Sequence, residues 1–389
     1  MIGDALAGVR VVALEQAVSL PFCTLVLASL GADVVKVEQP GRGDVIRGWD
    51  SAVRGLSTGF VAFNAGKRDV TVDAKTPQGR EVLRRLAASA DVFCENFAPG
   101  VAARLGVGPD DLRAADPRLV YCSLSGYGQD GPYRDVKAYD LLVQGESGLL
   151  LANGTPAAPA KIGIPITDQI AGIYAALGIV AALHHRERTG EGAYLDVSML
   201  ESAAHWLAYY PHHWWHAGEE PPRSGMRHQY LCPYGPFLAA DGRYVNVVVA
   251  SDDDWGRFCA ASGRPEWIGD PRFATVAARR ENRALLDGLV EELIGSAPGE
   301  EWFARLDAAG LPYGRVRSIA EVAEHPQLVA RGLFGEAGSP VGPVPIVQFP
   351  LGSPGPSRVP GLGEHTDELL AELGYDEADI GELRACGAV

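Results

Sequence analysis

The feature that most constrains this chain is an alternation, sustained through its first half, of short β-branched runs with helical segments. Val9-Arg10-Val11-Val12-Ala13-Leu14 reads as a buried strand, Pro21–Leu30 as a helix ended by Gly31, and Asp33–Glu38 as the next strand. Val70–Asp73 follows, and Thr76-Pro77, a cap residue with a first-turn proline, opens a helix running to about Ala90. Asp91–Asn96, Leu119–Leu124 and Ala193–Val197 continue the β series, the last of them after a long apolar helix over about Gln169–His185. This spacing predicts an α/β fold, a parallel Rossmann-like sheet covered on both faces.

Such sheets bind ligands outside the carboxyl ends of their strands. Those ends carry Glu15-Gln16, Glu38-Gln39, Asp73-Ala74-Lys75, Asn96-Phe97 and Ser125-Gly126-Tyr127. No GxGxxG follows the first strand and no GxxxxGK[ST] occurs, which argues against a dinucleotide or nucleoside-triphosphate site of the usual kind.

Composition narrows the partners. The formal net charge of −15 argues against nucleic acid or an anionic membrane as the main ligand, and a phosphorylated ligand would need locally focused cations. The six cysteines are scattered with no CxxC, a pattern of reduced thiols and of a cytoplasmic enzyme. No basic region precedes a long apolar run at the N-terminus, and the apolar stretch Ile170–Leu183 is short for a bilayer span.

The proline-bearing Glu219–Pro222 stretch marks the expected boundary. Residues 1–222, completed by 331–389 returning to them, form the large domain. Residues 223–330 form a smaller α+β domain with a hairpin, Tyr234–Leu238 and Tyr244–Val249, around Asp241-Gly242. Ser339–Leu362 reads as extended chain, and Glu364–Leu373 as a closing helix.

Asp168 stands directly before the apolar helix, in Gly163-Ile164-Pro165-Ile166-Thr167-Asp168. Two readings are open from the residues alone: an N-cap, or a carboxylate nucleophile whose apolar surroundings keep water from a covalent intermediate. Lys137-Ala138-Tyr139-Asp140 after a glycine-rich run is either a surface turn or a ligand loop, and Arg104 alone is an ordinary arginine. His212, His213 and His216 include one-turn spacing, but no HExxH accompanies them and no metal site is assigned. The aromatics from Trp206 to Trp215 suit a core or an interface better than a nucleic-acid platform.

Together, Leu30–Glu38, Glu95-Asn96-Phe97-Ala98-Pro99-Gly100, Ser125-Gly126-Tyr127-Gly128, Thr189-Gly190-Glu191-Gly192 and Asp168 through Asp196-Val197-Ser198-Met199 closely resemble the class III CoA-transferase family, which also includes the α-methylacyl-CoA racemases. The resemblance runs nearly end to end. It implies that Asp168 is the nucleophile and that coenzyme A, a substrate and not a prosthetic group, contacts Val18, Val72, Asp73, Ala74, Lys75, Asn96, Phe97, Ala98, Arg104, Lys137, Ala138, Tyr139 and Asp140. Gln39 stands where relatives commonly carry an arginine, leaving the adenosine end to Gln39 itself or to Arg42 or Arg47. Racemases carry His-Asp where this chain has Tyr139-Asp140, which favours transfer over racemisation. The Arg223–His228 segment resembles transferases acting on short dicarboxylates such as succinate, mesaconate, itaconate, malate or citramalate, with Arg227 and His228 meeting a second carboxylate. An interlocked homodimer is also implied. The rival readings are an acyl-CoA racemase or epimerase, a CoA-binding protein without turnover, and a Rossmann dehydrogenase.

Overall fold

The computed structural model describes residues 4–352 and 357–389. Six strands form one parallel sheet: β1 (Arg10–Leu14), β2 (Asp33–Glu38), β3 (Arg68–Thr71), β4 (Val92–Glu95), β5 (Val120–Ser125) and β6 (Tyr194–Ser198). Their order is β3-β2-β1-β4-β5-β6, and each neighbouring pair is parallel. The order reverses between β1 and β4, which puts the topological switch point beside Gln16 and Asn96.

The two-residue period of a strand explains the two cores. Val11 and Ala13 face a cluster with Leu20, Cys23, Leu27, Ala171, Ala175 and Ile179, while Val12 and Leu14 face one with Val35, Val82, Leu83, Leu86, Leu369 and Leu370. Each fully buried aliphatic side chain contributes roughly 1.5–3 kcal/mol. A sheet buried on both faces needs such continuous apolar runs.

The chain divides into two compact units: Met1–Leu149 with Ile162–Tyr209 and Pro326–Val389, and Leu150–Lys161 with Tyr210–His325. The division falls at Tyr209, earlier than the Glu219–Pro222 stretch, and the second unit also takes in a short excursion from the first half. That unit carries a three-stranded antiparallel sheet, β7 (Tyr234–Leu238), β8 (Tyr244–Val248) and β9 (Tyr313–Arg315), over a core of Trp255, Phe258, Phe273 and Trp302.

Several elements differ from expectation. β3 starts at Arg68 and ends at Thr71, because the chain turns away at Asp73, whose N–H is taken by the Ala388 carbonyl 2.8 Å away. The long apolar helix extends over Ile166–Thr189. By length and composition it would span a membrane, but Ile170, Ala171, Ala175 and Ile179 are buried against the sheet, making it the central core helix of its unit. Val344–Val347, within the stretch expected to be extended, pairs as an antiparallel hairpin with Phe334–Ala337 just before it, while 353–356 lie outside the described residues.

Candidate active site

Asp168 is not the N-cap. Pro165 holds that position, and Asp168 is the third residue of the helix, a first-turn acid. The helix dipole favours its charge by about 0.3–1 kcal/mol. Burial and the neighbouring Asp140 carboxylate oppose this and win, raising the Asp168 carboxyl to about 7, with the Ser19 hydroxyl donating a hydrogen bond that partly restrains the rise. A shift of that size corresponds to several kcal/mol, well beyond what the dipole supplies.

Three elements bring these groups together. Asp140 opens the Asp140–Glu146 helix, and its Oδ1 accepts the Thr167 N–H at 3.0 Å and the Thr167 hydroxyl at 2.9 Å. Its Oδ2 accepts from Gln144 Nε2 at 2.7 Å. The Asp140 carboxylate thus satisfies a donor that the helix start leaves free, and it fixes a negative charge beside Asp168. Ser19 begins the Ser19–Ser29 helix, which packs on the long helix at Gly172. A Cβ at Gly172 would lie 2.6 Å from the Ser19 carbonyl oxygen, so only glycine lets the two helices approach closely enough for Ser19 to reach Asp168.

Ser19 in turn accepts from Asn96 Nδ2 at 3.3 Å. Asn96 spans the switch point: its Oδ1 accepts the Gln16 N–H at 3.0 Å and its Nδ2 donates to the Gln16 carbonyl at 2.9 Å. Asn96 and Gln16 line a cavity of about 310 Å³ together with Phe97, Ala98, Lys137, Ala138 and Tyr139. Six of the residues carried over from the family therefore share one cavity, and Asn96 and Ser19 link it to Asp168.

At its edge Gly100 adopts φ +78° and caps the short Val101–Arg104 helix. Arg104 Nη1 and Arg134 Nη2 stand 3.3 and 3.7 Å from where a Cβ on Gly100 would lie. Among the described residues no carboxylate lies within ion-pair distance of Arg104, Arg134 or Lys137. Unpaired cations beside a cavity in an acidic chain have the chemistry that charge-assisted contacts to an anion require.

The remaining expected contacts lie apart from this cavity. Val18 is buried against Ile46 and Phe60, and its carbonyl accepts the Phe22 N–H at 2.8 Å. Val72 is likewise buried, and Asp73 Oδ1 accepts the Lys75 N–H in a tight turn through Ala74. Gln39 is exposed next to Pro40 and Gly41, which line a second cavity of about 460 Å³ with Thr71, Gly363, Arg384 and Val389. Arg47, one of the arginines that could take the missing arginine's place, is engaged within the protein. Its guanidinium pairs with Glu38 at 2.8 Å and Asp69 at 3.4 Å and stacks on Phe60 at 3.6 Å.

Arg227 and His228, expected to meet a second carboxylate of the substrate, make contacts within the protein in this structure. Arg227 pairs with Glu291 at 2.8 Å and Asp287 at 3.9 Å, lies 3.6 Å over the Phe237 ring, and donates to the Pro236 carbonyl. His228 Nδ1 accepts the Tyr230 and Leu231 N–H groups, each at 3.1 Å, and its ring stacks on Tyr234. Among the described residues no three His, Cys, Asp or Glu side chains group as metal ligands.

Sequence reasoning named Gln16 only as part of a polar strand end and missed Ser19 and Arg134. Ser19 opens the helix after β1, where a search for glycine-rich fingerprints sees nothing. Arg134 lies three residues before Lys137, and only the fold brings it to Arg104.

Comparison with known proteins places the chain in a family. The profile of CoA-transferase family III matches residues 6–366. The chain is 33% identical to the succinyl-CoA:glutarate CoA-transferase of Homo sapiens, an alignment covering 99% of this chain and 90% of the relative. It is 35% identical to the acetyl-CoA:oxalate CoA-transferase of Acetobacter aceti, covering 95% of this chain and 96% of the relative. A solved CAIB/BAIF family protein from Brucella suis superposes with a TM-score of 0.86 at 36% identity, over 95% of this chain and 100% of that one.

Proposed function

We propose, from the premise that this chain belongs to CoA-transferase family III, that Asp168 carries coenzyme A between two carboxylic acids as a covalent aspartyl thioester. An Asp168 oxygen attacks the donor thioester carbonyl, the C–S bond breaks, and an aspartyl–acyl anhydride forms with CoA thiolate released. The thiolate attacks the Asp168 carbonyl, expelling the donor acid and leaving aspartyl-CoA. The acceptor carboxylate attacks that thioester, and the freed thiolate takes the acceptor acyl group, returning Asp168 as a carboxylate. Two similar thioesters are exchanged, so the cycle balances without net oxidation or proton uptake.

The observation that carries this reading is Asp168 itself. An aspartate kept only to start a helix gains stability from being ionised, and its carboxyl sits low. This one is raised to about 7 by burial and a second carboxylate, with one hydroxyl donor. Such a group is poised to exchange between a nucleophilic anion and a neutral acyl carrier.

In this reading Asn96, Phe97, Ala98, Lys137, Ala138 and Tyr139 cradle the coenzyme, and Arg104 meets its phosphates. The acids are short dicarboxylates or their near relatives, supported by relatives named for glutarate and oxalate. The homodimer belongs to the same proposal. Exposed Tyr139, Ile173, Leu177 and Trp206 offer apolar surface for a second copy.

Incubation with succinyl-CoA followed by hydroxylamine, with peptide mass spectrometry, tests the intermediate. Modification of the peptide containing Asp168 is expected. Label confined to other peptides, or no label while glutarate is still converted to its thioester, excludes the aspartyl route.

A further inference from the structure

Between β1 and the Ser19–Ser29 helix, Ala17 holds φ +61°, one of two non-glycine residues with positive φ among those described. An alanine there is strained, and strain persists only where surrounding groups over-determine it. Two groups do so. Asn96 brackets the Gln16 peptide from the β4 side. From the other side the Ala17 N–H donates to Asp44 Oδ1 at 2.9 Å, across 27 residues of sequence.

Asp44 is not a surface side chain that happens to reach inward. It is buried, its Oδ1 also accepts the Ile46 N–H at 3.1 Å, and its Oδ2 accepts from the fully buried Lys36 Nζ at 2.8 Å. Lys36 contacts Glu15, whose Oε1 accepts from Lys67 Nζ at 2.7 Å and whose Oε2 accepts from Thr24 at 2.6 Å. Glu38 faces the same lysine and accepts the Asp44 N–H. Buried ionic networks contribute little stability for their desolvation cost, and their best-attested use is to specify one geometry. Here the geometry specified is the turn that carries Gln16 to the cavity and Ser19 to Asp168.

We propose that Asp44 is a positioning residue for the reaction: its carboxylate holds the left-handed turn at Ala17, and the turn delivers the Ser19 hydroxyl to Asp168. The inference rests on Asp168 as the nucleophile. Among the described residues Ser19 is the side-chain donor that restrains the Asp168 carboxyl, against burial and the Asp140 charge, which raise it. Loss of the turn therefore removes that restraint and leaves the helix dipole alone to favour the charged form.

The test compares wild type, Asp44→Ala, Asp44→Asn, Ala17→Gly with Asp44→Ala, and Ala17→Val, using succinyl-CoA and glutarate. Asp44→Ala is expected to lower kcat at least about tenfold with KM for succinyl-CoA changed less than about threefold. The midpoint of its pH–rate profile moves upward, because the charged form of Asp168 loses a donor. Asp44→Asn keeps an oxygen for the Ala17 N–H but sets its amide N–H groups against Lys36 Nζ, so its kcat is expected to fall between those of wild type and Asp44→Ala. The double variant recovers most of the loss, since glycine adopts positive φ without help.

A wild-type kcat and midpoint in Asp44→Ala, or a double variant as impaired as the single, overturns the proposal. Where Asp44→Ala does not fold, Ala17→Val decides, because valine resists positive φ while every charge stays in place. A raised midpoint and lowered kcat support the proposal, and wild-type values overturn it. If the wild-type protein transfers no CoA, the reaction reading fails on its own. The Asp168 titration is then read from the pH dependence of stability of each protein against its Asp168→Asn counterpart, and an unchanged titration in Asp44→Ala overturns the positioning role separately.

Discussion

The crevice at the switch point of the parallel sheet and the Arg227–His228 segment of the second unit are both rich in polar and charged groups. They differ in what the fold has done with them. Around Arg227 each group has a partner: two carboxylates and a ring face take the guanidinium, and two backbone N–H groups take the imidazole. Around Asp168 partners are withheld. The carboxyl has a hydroxyl and a like charge, Arg134 and Lys137 line a cavity and Arg104 stands by Gly100 next to it, all three without a counter-ion among the described residues. A cluster of charges becomes a site where packing leaves it unsatisfied, and a structural brace where packing satisfies it.

Substitutions can break that contrast or sharpen it. The largest effect is expected at Asp168. Asp168→Ala should lower transfer by on the order of 10⁴-fold, the scale seen when a covalent nucleophile is removed, while CoA binding measured by calorimetry changes little. Comparable turnover in this variant would reduce the crevice to a brace like the other region. Gly172→Ala should lower kcat by roughly 10²-fold, because the added methyl meets the Ser19 carbonyl and separates the helices by a fraction of an ångström. Steady-state kinetics with intact near-ultraviolet circular dichroism would separate this from unfolding.

Arg104→Ala and Arg134→Ala should each raise KM for acyl-CoA roughly tenfold or more, corresponding to about 1.5–3 kcal/mol for a charge-assisted contact, with kcat nearly kept. Unchanged KM in both would mean that the coenzyme lies elsewhere.

The pH dependence should follow Asp168. As a nucleophile it must be ionised, so kcat/KM should rise through a midpoint near 7. Stability should run the other way. Above about 3.8 the unfolded chain releases this proton while the folded chain keeps it to about 7, so the contribution is complete below 3.8 and is lost as pH rises through 7. Asp168→Asn should remove that slope, worth on the order of 2–4 kcal/mol between pH 4 and 8. Parallel slopes in urea titrations of the two proteins would contradict the raised carboxyl.

The smallest kinetic effect is expected at Arg227. Its replacement by alanine should cost about 1–2 kcal/mol of stability from a half-exposed ion pair and a cation–ring contact. The preference for succinyl-CoA over butyryl-CoA should not change. If that preference collapses, the second unit contributes to substrate choice after all and the contrast fails.

Much of the architecture was legible before the fold was seen, because it follows from periodicity. The β1 and β2 runs, the Thr76-Pro77 helix start and the hairpin around Asp241-Gly242 are local patterns, and Thr76 indeed accepts the Gly79 N–H at 3.0 Å. Asp168 was legible as a residue worth attention, since an acid beside an apolar helix start is a local signal too. Its position within the first turn was not, because Pro165 can serve as either cap or preceding loop.

What only the tertiary structure decided is which charges remain available. Arg47, Arg104, Arg134 and Arg227 look alike in sequence, as guanidinium groups on polar segments. Arg47 is taken up by Glu38 and Asp69, and Arg227 by Asp287 and Glu291 sixty or more residues away, whereas Arg104 and Arg134 converge on Gly100 with no carboxylate in ion-pair distance among the described residues. Periodicity reports how a segment meets the core and is written in neighbouring residues. Pairing of charges depends on distances of a few ångströms between distant segments, and these exist only once the chain has folded.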